Sequence, residues 1–306
     1  MTELEIIRHE RVGGISVFFD SVEYRTAHFH PEWELVWIVS GALSVRCAQR
    51  QTLCPAGSLC VFSPNRIHEF RRGGDEATIL CVQISPRLFS ASFPALAALA
   101  ADDFLLSDHL SEQQCASLRV WMRQLMEAYL DAAPCYELTC VSLCAAILSF
   151  LLRNFPVRTM SEDELAHTGK RNERLSRFLA YVEQNYMRRL TLEEFASAEG
   201  CSVSYMSRFL HANLNQSFQE YVNTVRYHAA CRLIAAGSGR MIEICEAAGF
   251  SDYRYFSRCF KQRCGMTPEE YSRTRPLSDA FPAQRSLRSL ERFYTVEESK
   301  QLLQTL

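Results

Sequence analysis

Between residues 12 and 85, apolar and polar residues alternate in short runs at 14–19, 34–39, 42–47, 58–62 and 78–84, separated by Gly and Pro. Period-two alternation punctuated in this way predicts short strands of a small all-β barrel or sandwich. From about 110 to 155 the period lengthens. Leu118, Trp121, Met122, Leu125, Met126 and Tyr129 recur every three or four residues, which predicts an amphipathic helix, and a second helix is expected over about 135–154, ending before Pro156. The stripe is too large for a solvated face, so the pair is expected to hold a homodimer with Leu125 and Met126 among its buried contacts. Residues 159–172 have the polar composition of a linker, and 173–275 read as helix throughout. In the charged tail, 276–306, the spacing of Leu287, Leu290, Tyr294, Leu302, Leu303 and Leu306 assigns packing rather than chemistry. The fold class is therefore α+β and multidomain. A β-barrel domain (1–95) is followed by a helical pair (96–158), the linker, an all-α domain and the tail.

The all-α region repeats itself. At an offset of 50, residues 202–221 (SVSYMSRFLHANLNQSFQEY) lie without a gap on residues 252–271 (DYRYFSRCFKQRCGMTPEEY). Tyr205/Tyr255, Ser207/Ser257, Arg208/Arg258, Glu220/Glu270 and Tyr221/Tyr271 are identical. Ser202 and Asp252 are N-cap residues, and Met206/Phe256 with Leu210/Phe260 form an apolar stripe. Asn215 and Gly265 are residue types that tolerate the left-handed conformation closing a helix. Upstream of each copy lies a short helix and a turn with Gly200 or Gly249, and a long apolar helix, about 218–236, bridges the copies. Two short helices joined by a glycine-containing turn form a helix-turn-helix, although an αα-hairpin repeat with no DNA role has the same pattern.

Length and composition agree with this organisation, since 306 residues with 48% apolar content suffice for two or three cores. The opening MTELEIIRHE lacks an apolar signal segment, and no run approaches ~18 apolar residues, so a cytoplasmic protein without a membrane partner is expected. None of the thirteen cysteines forms a C-x-x-C pair, and Cys140 and Cys144 lie one turn apart among apolar neighbours, as buried free thiols would. The net charge of -2 is unevenly distributed. Residues 1–172 hold 15 Lys+Arg against 20 Asp+Glu, whereas 173–275 hold 14 against 11. A surplus of three does not by itself identify a nucleic-acid binder.

The segment from Leu192 to Arg273, above all IEICEAAGFSDYRYFSRCFKQRCGMTPEEY, resembles the DNA-binding domain of the AraC/XylS transcriptional regulators. The first unit departs from that pattern at His211, Ala212 and Asn215. The resemblance implies two recognition helices in successive major grooves of double-stranded DNA, about 34 Å apart. Candidate DNA contacts are Ser204, Tyr205, Ser207 and Arg208 in the first helix and Tyr253, Arg254, Ser257, Arg258 and Lys261 in the second. The resemblance also favours pairing through the helices after the barrel, and admits RNA polymerase as a further partner.

In HFHPEWELVWIVSG, His28, His30 and Glu34 share one parity, while Trp33 and Trp37 have the other and are assigned to packing. The spacing H-x-H-x3-E-x6-G, followed by Gly57, Pro64 and His68, is similar to the cupin motifs. His28, His30, Glu34 and His68 are thus expected to converge inside the barrel. They would line the pocket of a small-molecule effector, a sugar or related metabolite by analogy, or bind a divalent metal such as Zn, Fe, Mn or Ni. The sequence leaves one alternative from another class, a metal-dependent cupin enzyme fused to a helical module.

Overall fold

The computed structural model describes residues 2–4, 11–74, 76–214, 216–235, 237, 239–274 and 290–306. They divide into two compact units, one of Leu4–Glu173 with Glu291–Leu306, the other of Met1–Glu3 with Arg174–Leu290.

The strands, in chain order, are β1 (Thr2–Leu4), β2 (Ile15–Phe29), β3 (Trp33–Ser40), β4 (Ala42–Cys47), β5 (Arg50–Pro55), β6 (Leu59–Phe62), β7 (His68–Arg72) and β8 (Ala77–Ile84). Later come β9 (Leu99–Ala101), β10 (Val157–Thr159) and β11 (Leu290–Phe293). An antiparallel sheet in the order β5-β4-β7-β2-β8-β3-β6 curls into a half-barrel, and β11 adds to β2. Sequence alternation located the first strand but stopped it at residue 19. The strand continues because it serves two partners in turn: Ile15–Val22 pair with β8, and Tyr24, Arg25 and His28 with β7 across a register shift. Asp20, Arg25 and Thr26 are polar yet buried, so polarity no longer marks the outward face there.

Elsewhere the pleat sorts side chains cleanly. Val36, Ile38, Leu43, Val45, Cys60, Phe62, Phe70, Ile79 and Cys81 form one core, inside the curl. Their neighbours Trp33, Leu35, Trp37, Leu59, Val61, Leu80 and Val82 join a second core beneath two helices. The tryptophans thus pack between layers, as their parity predicts. The helices are α1 (Glu112–Asp131), which opens on a Ser111/Gln114 capping box, and α2 (Tyr136–Asn154). Leu125 and Met126, at 0% and 1% exposure, belong to this second core. The expectation that they contact a second copy is therefore wrong. The α1 stripe is satisfied by the chain's own sheet. By length and composition α2 could cross a membrane, but its Cys140, Cys144, Ile147, Leu148 and Leu151 enter the same core. Ten of the twelve described free cysteines are buried; Cys135 is exposed and Cys201 half-buried. Burial pushes the Cys140 thiol up to about 11.

The tail returns to this unit. Glu291 accepts from Arg25 Nη1 at 2.6 Å in a buried ion pair, Phe293 meets Phe18 at 5.1 Å between ring centroids, and Thr78 Oγ1 lies 3.0 Å from the Tyr294 hydroxyl. A final helix, which we label α10 (Val296–Leu303), places Leu303 in the second core and pairs Lys300 with Asp131 of α1 at 3.0 Å. Leu287 lies outside the described residues.

Helix α3 (Glu162–Asn185) starts in the first unit and continues into the other, whose further helices are α4 (Leu192–Ala198), α5 (Val203–Leu214), α6 (Phe218–Ala235), α7 (Met241–Ala247), α8 (Tyr253–Cys264) and α9 (Pro268–Thr274). Most of the expected linker is thus the first half of α3. Its start is fixed locally, because Ser161 Oγ accepts from Glu164 N–H while the Glu164 carboxylate accepts from Ser161 N–H, and Glu162, Asp163 and Glu164 suit the first turn. Helix α6 buries Tyr221, Val222, Val225, Ala229 and Ala230 and so carries both copies of the repeat. Gly200 (φ +65°) and Gly249 (φ +84°) each stand two residues past the end of a first helix, α4 or α7.

Two stability predictions follow from these contacts. Glu291→Ala removes a buried carboxylate partner of Arg25 and should destabilise this first unit by about 1 to 3 kcal/mol. All three tryptophans, Trp33, Trp37 and Trp121, lie in that unit, so fluorescence-detected urea unfolding reports it alone. The turn glycines should differ sharply. A Cβ on Gly249 would stand 2.4 Å from Tyr186 O, whereas one on Gly200 meets nothing within 4 Å. Gly200→Ala therefore loses only the left-handed preference, about 1 to 2 kcal/mol, and Gly249→Ala substantially more, read by far-UV circular dichroism on denaturation.

Candidate nucleic-acid interface and sensor site

Both recognition helices begin at the expected caps. Ser202 Oγ accepts from Tyr205 N–H at 3.2 Å, and Asp252 Oδ1 from Tyr255 N–H at 2.7 Å. Gly265, at φ +75°, closes α8, while Asn215 lies outside the described residues. Met206 and Leu210 on α5, and Phe256 and Phe260 on α8, face inward and fix the opposite face outward.

On that outward face Ser204, Tyr205, Ser207 and Arg208 of α5 are exposed, as are Arg254, Arg258 and Lys261 of α8; Tyr253 and Ser257 are half-buried. Among the described residues, the side chains of Arg208, Arg254 and Lys261 make no hydrogen bond or salt bridge. Arg258 lies over the Tyr255 ring, 5.4 Å from its centroid. The two tyrosines in the candidate set are engaged within the protein. Tyr205 OH accepts from Arg174 Nη1 at 2.8 Å, and Tyr253 OH donates to Glu269 of α9. Burial, then the Glu269 carboxylate, push the Tyr253 phenol well above its ordinary range.

Three supporting arginines escaped the sequence reading. Arg174 and Arg177 of α3 hold Glu199, at the end of α4, at 3.1 and 2.6 Å. Arg226 of α6 donates to Tyr186 O and Arg188 O, both at 2.8 Å. Their partners lie more than twenty residues away in sequence, and where Glu199 ends α4 the second unit has Ala248, so the repeat carries no signal for them.

In the sensor unit, His28 and His68 are register partners across β2 and β7, and the chain reverses between β2 and β3 to bring His30 beside Glu34. This reversal at Pro31, rather than one extended strand, gives the shared face. All four residues are buried, at 1–2% exposure, and one ligand atom from each lies within 4.8 Å of the others. Glu34 Oε2 lies 2.7 Å from His68 Nε2 and 3.2 Å from His30 Nε2. Its other oxygen, Oε1, accepts from the Cys81 thiol at 2.9 Å and Gln83 Nε2 at 3.1 Å. His28 Nδ1 donates to Thr26 O at 2.8 Å, and His68 Nδ1 to Arg66 O at 2.9 Å. Burial, then His68, hold the His28 imidazole well below its ordinary range. Burial alone would raise the Glu34 carboxyl, but His30 and His68 outweigh it and keep Glu34 well below the usual carboxylate range. The donor set, three imidazoles and one carboxylate, fits a divalent transition metal.

Beside the cluster is a cavity of about 20 Å³ bounded by Asp20, Arg25, Gln83, Glu291 and Phe293 among others. That is room for about one water, far below the several hundred Å³ that hold an organic ligand.

Residues 14–179, more than half of the chain, match the family described as an AraC-like ligand binding domain, and residues 195–274 match a helix-turn-helix domain family. An HTH-type transcriptional regulator of Bacillus subtilis, YdeC, is 20% identical over 82% of this chain and 87% of its own length. YisR of the same organism is 33% identical, over 30% of this chain and 32% of its own length. The transcriptional activator RhaS of Mannheimia succiniciproducens is 26% identical, over 33% of this chain and 38% of its own length. Among solved structures, ToxT from Vibrio cholerae aligns over 85% of this chain and 97% of its own, with a TM-score of 0.44 and 15% identity. The matched families and relatives are regulators rather than enzymes. The chain belongs to the AraC family of transcriptional regulators.

Proposed function

We propose that this regulator reads its operator with α5 and α8, and that a small ligand in the half-barrel controls that reading. The observation carrying the first part is the pair of capped helices that bury aromatic or aliphatic residues on one side and present Arg208, Arg254, Arg258 and Lys261 on the other. Arg254 and Arg258 lie one turn apart on α8, where a guanidinium can bond a guanine edge through two donors. Lys261 sits one turn below and suits a phosphate. Tyr205 and Tyr253, bound to Arg174 and Glu269, set the pose of their helices instead of reading bases. A cytoplasmic location and contact with RNA polymerase follow from this role.

For the effector, a sugar or related metabolite is supported only by the family resemblance. The cavity of about 20 Å³ beside His28 and Glu34 favours a much smaller species, since a sugar would first have to displace β11 with its Glu291 and Phe293. For the dimer, the outward face of α2 replaces the α1 stripe. Leu138 is 72% exposed there, on a helix whose mean hydropathy reaches 1.5. Its occupant is a second copy of α2, consistent with the prevalence of two-fold homodimers.

Measured on folded protein, Arg254→Ala and Arg258→Ala should each lower discrimination among operator variants by about 1 to 3 kcal/mol per lost bidentate contact. Lys261→Ala should weaken all sequences alike and reduce the salt slope of log K by about one. Wild-type affinity and base preference in both arginine variants would exclude α8 as the reader. Sedimentation should show a dimer for the wild type at micromolar concentration and a monomer for Leu138→Glu; a monomeric wild type would exclude the α2 interface.

A further inference from the structure

We infer that His28, His30, Glu34 and His68 hold a divalent transition-metal ion, and that its occupancy sets the regulator's affinity for DNA. This rests on reading the half-barrel as the sensor, and it assigns that sensor's ligand to the class of small, imidazole-seeking cations.

Four observations converge. Each Nδ1–H of His28 and His68 is committed to a backbone carbonyl, of Thr26 and Arg66, which leaves Nε2 of each ring to serve as the ligand atom. This is the outer-shell arrangement that fixes the tautomer of a metal-binding histidine. Glu34 is oriented in the same way, with Cys81 and Gln83 donating to Oε1 while Oε2 faces the imidazoles. Glu34 Oε2 stands 2.7 Å from His68 Nε2 and 3.2 Å from His30 Nε2, so the carboxylate and two imidazoles already face one point. A dication at that point would serve all four groups together. Finally, bonds of about 2.1 Å allow ligand atoms no more than about 4.2 Å apart, so a cluster already within 4.8 Å closes on an ion by movements well under 1 Å.

The chemistry narrows the ion. Nitrogen-rich donors buried at 1–2% exposure favour zinc, iron, nickel or cobalt over magnesium or calcium, which take oxygen shells. The adjoining cavity leaves room for one water as a further ligand and little else. The residues come from β2, β3, β7 and the β2–β3 reversal, so filling the site draws the start of β7 towards that reversal.

The test uses the full chain. Stripped protein is titrated with Co(II), whose visible absorption reports nitrogen–oxygen coordination, and metal content is measured after equilibrium dialysis. Operator affinity is then measured with and without metal on a duplex that the protein itself selects from a random pool. One ion per chain is expected for the wild type. His68→Ala, and the near-isosteric Glu34→Gln should the former fail to fold, should bind at least tenfold more weakly. Metal should change operator affinity by about tenfold in the wild type and not in Glu34→Gln. Arg258→Ala, altered only in the other unit, should keep the wild-type cobalt spectrum. Binding below one ion per chain, equal binding by the Glu34→Gln variant, or identical DNA affinity with and without metal would overturn the inference, the last two leaving the DNA-reading role intact. Failure to select any duplex, with or without metal, would instead remove that role.

Discussion

The side-chain alternation of β2, β3 and β8 is the constraint on which the sensor unit depends. These strands sit in the interior of the sheet and are buried on both sides, so every residue must commit to one of two cores. Trp33, Leu35 and Trp37 face the helices, while Glu34, Val36 and Ile38 face the inside of the curl. A one-residue slip of β3 would place Trp33 or Leu35 beside His68 and a carboxylate among the leucines of α1. The polar cluster and the helix-packing surface are therefore one decision, and neither can be altered in register without the other. The apolar inner residues around the cluster also explain its electrostatics: they remove solvent, leaving Glu34 and the imidazoles to satisfy one another.

Much of this was legible in the sequence, for identifiable reasons. The helix-turn-helix units were visible because each is assembled from local signals, a cap at Ser202 or Asp252, a glycine in the turn and an apolar pair one turn apart. The convergence of His28, His30, Glu34 and His68 was legible from spacing, although by way of a chain reversal rather than a single extended strand. What was hidden depended on partners remote in sequence. The destination of the α1 stripe could not be read, because periodicity shows that Leu125 and Met126 need a cover and not whether another chain or the neighbouring sheet provides it. Likewise β5 and β7 were missed, since RQTLCP turns its Leu53 outward and HEFRR buries the charged Glu69, so neither shows a clean apolar–polar alternation.

Sequence identity within the repeat also proved a poor guide to role. Tyr205 and Tyr255 occupy the same position in the two recognition helices, yet Tyr205 is held by Arg174 of α3, whereas Tyr255 OH is bound by Asn223 of α6. Tyr255 thereby ties the second unit to the bridging helix, and Tyr205 ties the first to the helix that enters the domain. A shared side chain has been put to two structural uses because each copy meets a different neighbour.

The return of the tail to β2 changes how the chain must be thought of as a linear object. Helix α10 and nearly all of strand β11 belong to the sensor unit, so Arg174–Leu290, with both helix-turn-helix units, is an insertion between two parts of one fold. Synthesis proceeds from the N-terminus, and Arg25 leaves the ribosome more than two hundred and sixty residues before Glu291, its buried partner. At about 5 to 20 residues per second that interval is some 13 to 50 seconds. During it the half-barrel lacks the Glu291 carboxylate and one strand neighbour, while both helix-turn-helix units can already fold from local contacts. A nascent regulator of this kind would be able to meet DNA before its sensor was complete, so a chain interrupted after the helical domain is a different protein from one that merely lacks a tail.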